Sequence, residues 1–393
     1  DLCRSIAAVV VGDPNSFVGV PVTSANRWRR LHHRAVDLLV KGDTHTIERE
    51  VGESSTGAGF AFSSVYNYDG MAYFGNETFV QCAQQQKRYD ECSSLLICVK
   101  SSTTHYDFLT TSTSFPVRFM KVEFSLELIL DMLFDDECNV IAHDKSVILN
   151  ALSSRPNAGG REFIFGDKIM TKEPHAVVTR NTDREFSDII NWVVQALFFG
   201  EEQGLAKDPS LCRNSTDSVS QNGSDLNFMN AVYCVGNYGE IFDGEPDNRG
   251  MNQINNGTGM LYAIPFGYLE EDTITRRAAS RTLAKITNEG SLNCGVVVPD
   301  NFEKNVTESG GLFGMSSYYC HALAAALFHG DGKDVNFTTF GEDHDSSSAA
   351  LVNGEIDMLV GMRVQKKHDF ERSRSLSGLQ FSNPYYYGNE AAR

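Results

Sequence analysis

Two periodicities run through the apolar positions of the chain. Apolar residues recur at three- and four-residue spacing in RSIAAVVV (4–11), FSLELILDMLF (124–134), EFSDIINWVVQALFFGEEQGL (185–205) and HALAAALF (321–328). That spacing lines one face of a helix. The 185–205 pattern ends at Gly204, a residue type that stops helices by turning left-handed. Short, β-branched apolar runs predict buried strands at SSLLICVK (93–100), CNVIAHD (138–144) and SLNCGVVV (291–298). VDLL (36–39) and IDML (356–359) predict shorter strands, and VNFTTF (335–340) alternates as a half-buried one. Ser101 to Thr104 make a polar turn before a helix. Residues 206–258, rich in Asn, Ser, Gly and Asp, predict mostly surface loop, and the polar 270–280 stretch predicts a linker. Strands alternating with helices predict an α/β fold.

The pattern also repeats. DLCRSIAAVVVGDP (1–14) matches YYCHALAAALFHGD (318–331), RAVDLLVKG (34–42) matches GEIDMLVGM (354–362), and YNYDGMAYFGNE (66–77) matches FSNPYYYGNE (381–390). The order is kept, so the end of the chain resembles its beginning. The second copy has the SLNCGVVV strand ahead of its first helix. The first copy opens directly at the helix, without that strand.

Composition narrows the function classes. With 393 residues, 41% hydrophobic and 22% charged, the chain can bury a real core and suits two or three domains. A net charge of −17 repels phosphate backbones, so no nucleic-acid partner is expected. No run approaches the length of a membrane helix, so no membrane span is expected. The chain opens at Asp1 without a signal-like segment and reads as a processed or excerpted piece. Asn-X-Ser/Thr sequons at Asn76, Asn214, Asn222, Asn256, Asn305 and Asn336, with nine cysteines outside any zinc-ligand spacing, point to an oxidising, extracellular setting with N-linked glycans. The odd cysteine count leaves one thiol free or paired between chains. No metal site is expected: the HxxE at His45 and Glu48 lacks a second histidine, EDHD (342–345) reads as a solvated turn, and DGEPDN (243–248) lacks the ligand spacing of a calcium loop. No nucleophile elbow, phosphate loop or dinucleotide fingerprint occurs, so no enzyme, catalytic residue or cofactor is expected.

CRSIAAVVVGDP, ICVKSSTT (97–104), VGNYGEIFDG (235–244), GMLYAIPFG (259–267) and EGSLNCGV (289–296) together resemble type II periplasmic solute-binding proteins, specifically the general L-amino-acid-binding proteins of ABC transporters. The resemblance covers most of 1–269, and 281–390 resembles the start of another copy. It implies two α/β lobes of doubly wound sheet joined by a hinge, with ligand in the cleft. Lobe I would be 1–79 and 175–269, without its first strand, and lobe II would be 80–174, with crossovers near 72–80 and 173–180. Residues 281–393 would be a partial repeat of lobe I.

The resemblance also implies a ligand set. Arg49 occupies the place of the carboxylate-binding arginine, suited to bidentate pairing. Thr103 and Thr104 sit at a helix N-terminus, where N–H groups suit an anion. Asp144 matches the ammonium-binding aspartate. Ser102 replaces the family's glycine, His45 its tryptophan, and the second copy puts Asp369 opposite Arg49. The family often joins the cysteine of LxCGV to the first helix, so Cys294 pairs with Cys320 or with Cys3. Cys98 with Cys138, Cys82 with Cys92, and Cys212 with Cys234 are the remaining pairs, leaving Cys3 or Cys320 over. The missing first strand leaves sheet edges that another chain could fill. The leading expectation is therefore a secreted, glycosylated structural subunit, a homopolymer assembling head-to-tail into extracellular filaments by strand or half-domain donation. The alternative is an extracellular amino-acid-binding receptor whose partner is a free L-amino acid.

Overall fold

The computed structural model describes residues 1–40, 42–53, 56–85, 92–112, 118–122, 126–155, 162–212, 227–242, 252, 281–298, 315–328, 334–341, 344–361 and 382. It forms two compact units, 1–275 and 276–393.

In the first unit the elements run α1 (Leu2–Val10), α2 (Arg27–His32), β1 (Leu38–Leu39), α3 (Ile47–Gly52), β2 (Phe60–Phe62), β3 (Asn67–Asp69), β4 (Met71–Gly75), α4 (Glu77–Gln85), β5 (Leu96–Lys100), α5 (Thr104–Ser112), β6 (Arg118–Val122), α6 (Leu126–Phe134), β7 (Val140–Asp144), α7 (Lys145–Ser153), β8 (Ile164–Phe165), β9 (Glu173–His175), β10 (Val178–Arg180), α8 (Arg184–Glu202), α9 (Asn230–Val235) and α10 (Tyr238–Ile241). Two main sheets result. A three-stranded sheet has the order β1-β10-β2, all antiparallel. A five-stranded sheet has the order β6-β5-β7-β4-β8, with β5 parallel to β6 and β7, and β4 antiparallel to β7 and β8.

The strands of the larger sheet are apolar because both faces are covered. Every residue of β4 and β7 is buried. One face packs with Val80, Ala83 and Leu109 from α4 and α5, and the other with Leu126, Ile129, Leu130 and Ile148 from α6 and α7. The smaller sheet packs Leu39, Phe60 and Val178 against Trp28 and Leu31 of α2. The long 185–205 pattern becomes α8, capped at its start by Asp183 and followed by Gly204 at φ +65°. Its apolar stripe joins Ile6 and Val9 of α1 and Ala231 and Val232 of α9 in one core.

Within 206–258, expected to be mostly loop, two short helices occur among the described residues. Asn230–Val235 is a helix whose Ala231, Val232, Cys234 and Val235 are buried, and the disulfide Cys212–Cys234 ties it down. α10 follows, with Asn237 and Glu240 forming a reciprocal capping box and the Tyr238 hydroxyl donating to Tyr66 O at 2.6 Å. The VGNYGEI segment therefore serves architecture. The polar composition around it hid one short apolar stripe.

The second unit has α11 (Arg281–Glu289), β11 (Leu292–Val297), α12 (Met315–Leu327), β12 (Val335–Phe340), α13 (His344–Val352) and β13 (Met358–Val360). Its sheet is parallel, in the order β12-β11-β13. Leu292, Cys294 and Val296 of the central strand are buried, and Cys294–Cys320 pins α12 to it. The 270–280 linker, Asp369, DGEPDN, GMLYAIPFG and the start of EDHD lie outside the described residues.

Candidate functional site

The two sheets of the first unit are joined by a two-stranded antiparallel ladder, β3 against β9, with Asn67 opposite His175, Tyr68 opposite Pro174 and Asp69 opposite Glu173. β3 runs through Gly70 into β4, and β9 runs into β10 after two residues. A Cβ at Gly70 would lie 2.2 Å from Ile169 Cγ2 and 2.5 Å from Thr171 O, so only glycine fits that crossing. The ladder is buried, and it places two carboxylates, Asp69 and Glu173, directly across from one another.

Glu173 is the hub of the site. Its Oε2 accepts from Thr44 Oγ1 at 2.5 Å and from Thr104 Oγ1 at 2.8 Å, and its Oε1 accepts from Thr171 Oγ1 at 2.6 Å. Thr44 comes from the loop after β1, and Thr104 from the first residue of α5. His105, next on α5, brings Nε2 to 3.0 Å from Asp144 Oδ1 and 3.7 Å from Glu173 Oε1. Asp144 ends β7. Its backbone N–H donates to His143 Nδ1 at 2.8 Å, and that nitrogen is 3.6 Å from Asp144 Oδ2. Asp69 accepts from the Gly70 N–H at 2.8 Å and from the Ser146 hydroxyl. The Asn67 amide reaches His175 Nδ1 at 3.0 Å.

The electrostatics follow from burial. Burial opposes charge on His105, but the charge of Asp144 and the hydrogen bond to it, helped by Glu173 and Asp69, raise its pKa to about 9. Burial would also raise Asp144, yet His105, with His143 and His175 behind it, holds Asp144 well below the usual carboxylate range. Asp69 moves the other way, pushed up by burial and then by the neighbouring Asp144 charge.

Arg49 lies on α3, whose start is fixed by the Thr46 hydroxyl accepting from the Arg49 N–H at 3.3 Å. Its Nη1 donates to Thr44 O at 2.7 Å and its guanidinium sits 5.1 Å from the Trp28 ring centroid. The side chain is 7% exposed. Among the described residues no carboxylate forms an ion pair with it. Arg27, also over Trp28, differs: its Nε is 2.7 Å from Asp43 Oδ1, and burial lowers its pKa to about 10. His45 stacks on Phe62 at 4.2 Å and pairs with Glu50 at 2.6 Å.

Of the residues expected from the sequence, Arg49, Thr104 and Asp144 fall in one chain of contacts through Thr44, Glu173 and His105. Thr103 does not. Its hydroxyl donates to Lys100 O at 2.7 Å and accepts from the Tyr106 N–H at 3.3 Å, closing the turn into α5. Ser102 stands in the left-handed region at φ +57°. Sequence reasoning missed Glu173, His105, His143, Asp69 and Thr44. The available signal was charge inside apolar surroundings: EPH in a crossover and HD closing a buried strand. A cavity of about 310 Å³ lined by Asn76, Leu133, Asn139 and Phe163 lies at the opposite end of β4 and β7, away from this network. Disulfides join Cys82–Cys92, Cys98–Cys138, Cys212–Cys234 and Cys294–Cys320, and Cys3 is free. Asn76 lies just after β4 and Asn336 on β12; Asn214, Asn222, Asn256 and Asn305 fall outside the described residues.

No protein-family model matches the chain. It is similar to the general L-amino acid-binding periplasmic protein AapJ of Rhizobium johnstonii, at 29% identity over 67% of this chain and 82% of the relative. It is 27% identical to the glutamate/glutamine/aspartate/asparagine-binding protein BztA of Rhodobacter capsulatus over the same share of each. A solved ABC-transporter periplasmic binding protein from Brucella ovis, with glutathione bound, superposes with a TM-score of 0.52 at 25% identity, covering 67% of this chain and 87% of that one. The chain is a relative of amino-acid-binding periplasmic proteins and has the two-lobed periplasmic-binding fold. This overturns the leading expectation of a head-to-tail filament subunit. The relatives that match two thirds of the chain are named for capturing amino acids, and none of these likenesses supports a structural polymer. The alternative, a receptor, is what the relatives support. No described helix is long and apolar enough to cross a membrane.

Proposed function

We propose that the first unit captures a free L-α-amino acid outside the cytoplasm, in the manner of ABC-transporter receptors. The observation that carries the reading is Arg49: a buried guanidinium with one hydrogen bond to a backbone carbonyl and, among the described residues, no carboxylate paired to it. A buried charge left in that state is costly, and a ligand carboxylate supplies the missing partner in the two-pronged geometry that guanidinium favours. The first N–H groups of α5 add donors for the same carboxylate. Asp144, which already binds His105 at 3.0 Å, takes the ammonium. Closure of the two sheets about the β3–β9 ladder would sequester the ligand.

The test is a thermal-shift panel of the twenty L-amino acids. A ligand at a hundred times its dissociation constant adds about 2.7 kcal/mol of stability. At least one L-amino acid should raise the melting temperature of the wild type and leave Arg49→Ala unmoved. A panel with no shift, or equal shifts in both proteins, counts against the reading.

A further inference from the structure

The carboxylates at and beside the ladder are more numerous than amino-acid capture requires. Asp69, Asp144 and Glu173 are 9%, 7% and 2% exposed. Asp69 and Glu173 stand directly opposite one another in the register, an arrangement that is unfavourable for like charges. Glu173 is also held rigidly, by three threonine hydroxyls from three different segments. Orienting a carboxylate so firmly, with Oε1 3.7 Å from His105 Nε2, is how proteins prepare a ligand for a cation.

The spacing around His105 suits such a cation. His105 Nε2 is 3.0 Å from Asp144 Oδ1 and 3.7 Å from Glu173 Oε1. Donors on a tetrahedron with bonds of about 2.0–2.1 Å are separated by about 3.3 Å, midway between those two distances. His105, His143 and Asp144 each offer a donor atom, and these lie within 4.8 Å of one another with all three residues buried. Imidazole nitrogen with carboxylate oxygen is a donor set of borderline-soft divalent ions such as Zn²⁺, rather than of Mg²⁺ or Ca²⁺, which take oxygen.

We propose that the network at the β3–β9 ladder is a divalent transition-metal site, with His105, Asp144 and Glu173 as its ligands and water in the fourth position. The metal occupies the position of the proton shared by His105 and Asp144. It therefore competes with a ligand ammonium for Asp144. The metal site does not depend on amino-acid capture, since its ligands are complete without Arg49.

The experiment uses the full chain, freed of metal by chelation, and titrates it with Zn²⁺ alone by calorimetry in the absence of amino acids. One equivalent should bind. His105→Ala should abolish that binding, and Glu173→Gln should weaken it at least tenfold. Replacing the exposed His32 and His33 together by Ala should leave it intact. Co²⁺ added to the unmodified protein should give the intense visible absorption of four-coordinate nitrogen and oxygen ligation, which reads the site without any variant. No zinc uptake overturns the proposal. So does uptake that His105→Ala leaves unchanged, or a weak six-coordinate Co²⁺ spectrum.

Discussion

Replacing Asp144 by Asn probes the strongest buried interaction of the site with little change in volume. His105 keeps its place 3.0 Å away but loses the charge that stabilises it. Its pKa stands at about 9 in the folded protein against 6.5 ordinarily. At about 1.4 kcal/mol per pKa unit, the charged imidazole contributes about 3 kcal/mol, matching the 3–5 kcal/mol typical for breaking a buried pair. The pH dependence has a definite sign. A raised folded-state pKa stabilises fully below about 6.5, and the gain disappears as pH climbs through about 9. Asp144, depressed in the fold, adds stability above its ordinary value of 3.8 that is lost as pH falls. Calorimetric melts of wild type and Asp144→Asn from pH 6 to 9.5 test this. The expected gap is about 6–12 °C at pH 6.5, at about 2–4 °C per kcal/mol for a unit of this size, closing toward pH 9.5. A gap that stays constant with pH, or no gap at pH 6.5, would refute the buried ion-pair reasoning.

Further outcomes follow from the same geometry. Arg49→Lys keeps the charge but loses the planar fork, and amino-acid affinity should fall at least tenfold in direct titrations. Ser102→Gly removes a left-handed non-glycine residue at φ +57° and should stabilise the first unit by about 0.5–1 kcal/mol in denaturant melts, provided the turn itself is kept. Replacing Cys98 and Cys138 together by Ala opens a crosslink spanning 40 residues and should cost about 4 kcal/mol on chain-entropy grounds, read as a lower urea midpoint.

Periodicity carried the architecture wherever burial was one-sided or complete. The 185–205 stripe became α8, and the 93–100 and 138–144 runs became β5 and β7, because each element's apolar residues are what its core needs. It failed at Asn230–Val235, where a single buried turn of helix sits among polar residues and a disulfide replaces much of the apolar signal. Part of the site was legible through resemblance: Arg49, Thr104 and Asp144 stood in recognisable segments. Glu173, Asp69 and Thr44 did not, since what unites them is the crossing of two strands distant in sequence, 104 residues apart by the Asp69–Glu173 pairing. His105 was missed for the same reason: it meets Asp144 and Glu173 only where α5, β7 and β9 converge, and the three have no spacing to read. The opening of the chain suggested polymerisation, an expectation overturned by the likeness to amino-acid-binding relatives over two thirds of the chain.

The most direct test of the receptor reading is isothermal titration of the full chain with L-amino acids, alongside des-amino and des-carboxy analogues of whichever binds. The account predicts saturable binding of one equivalent in the micromolar range, lost on removing the ligand's carboxylate and lost in Arg49→Ala. Absence of saturable heat from every amino acid, or binding indifferent to Arg49 and to the ligand carboxylate, would contradict it.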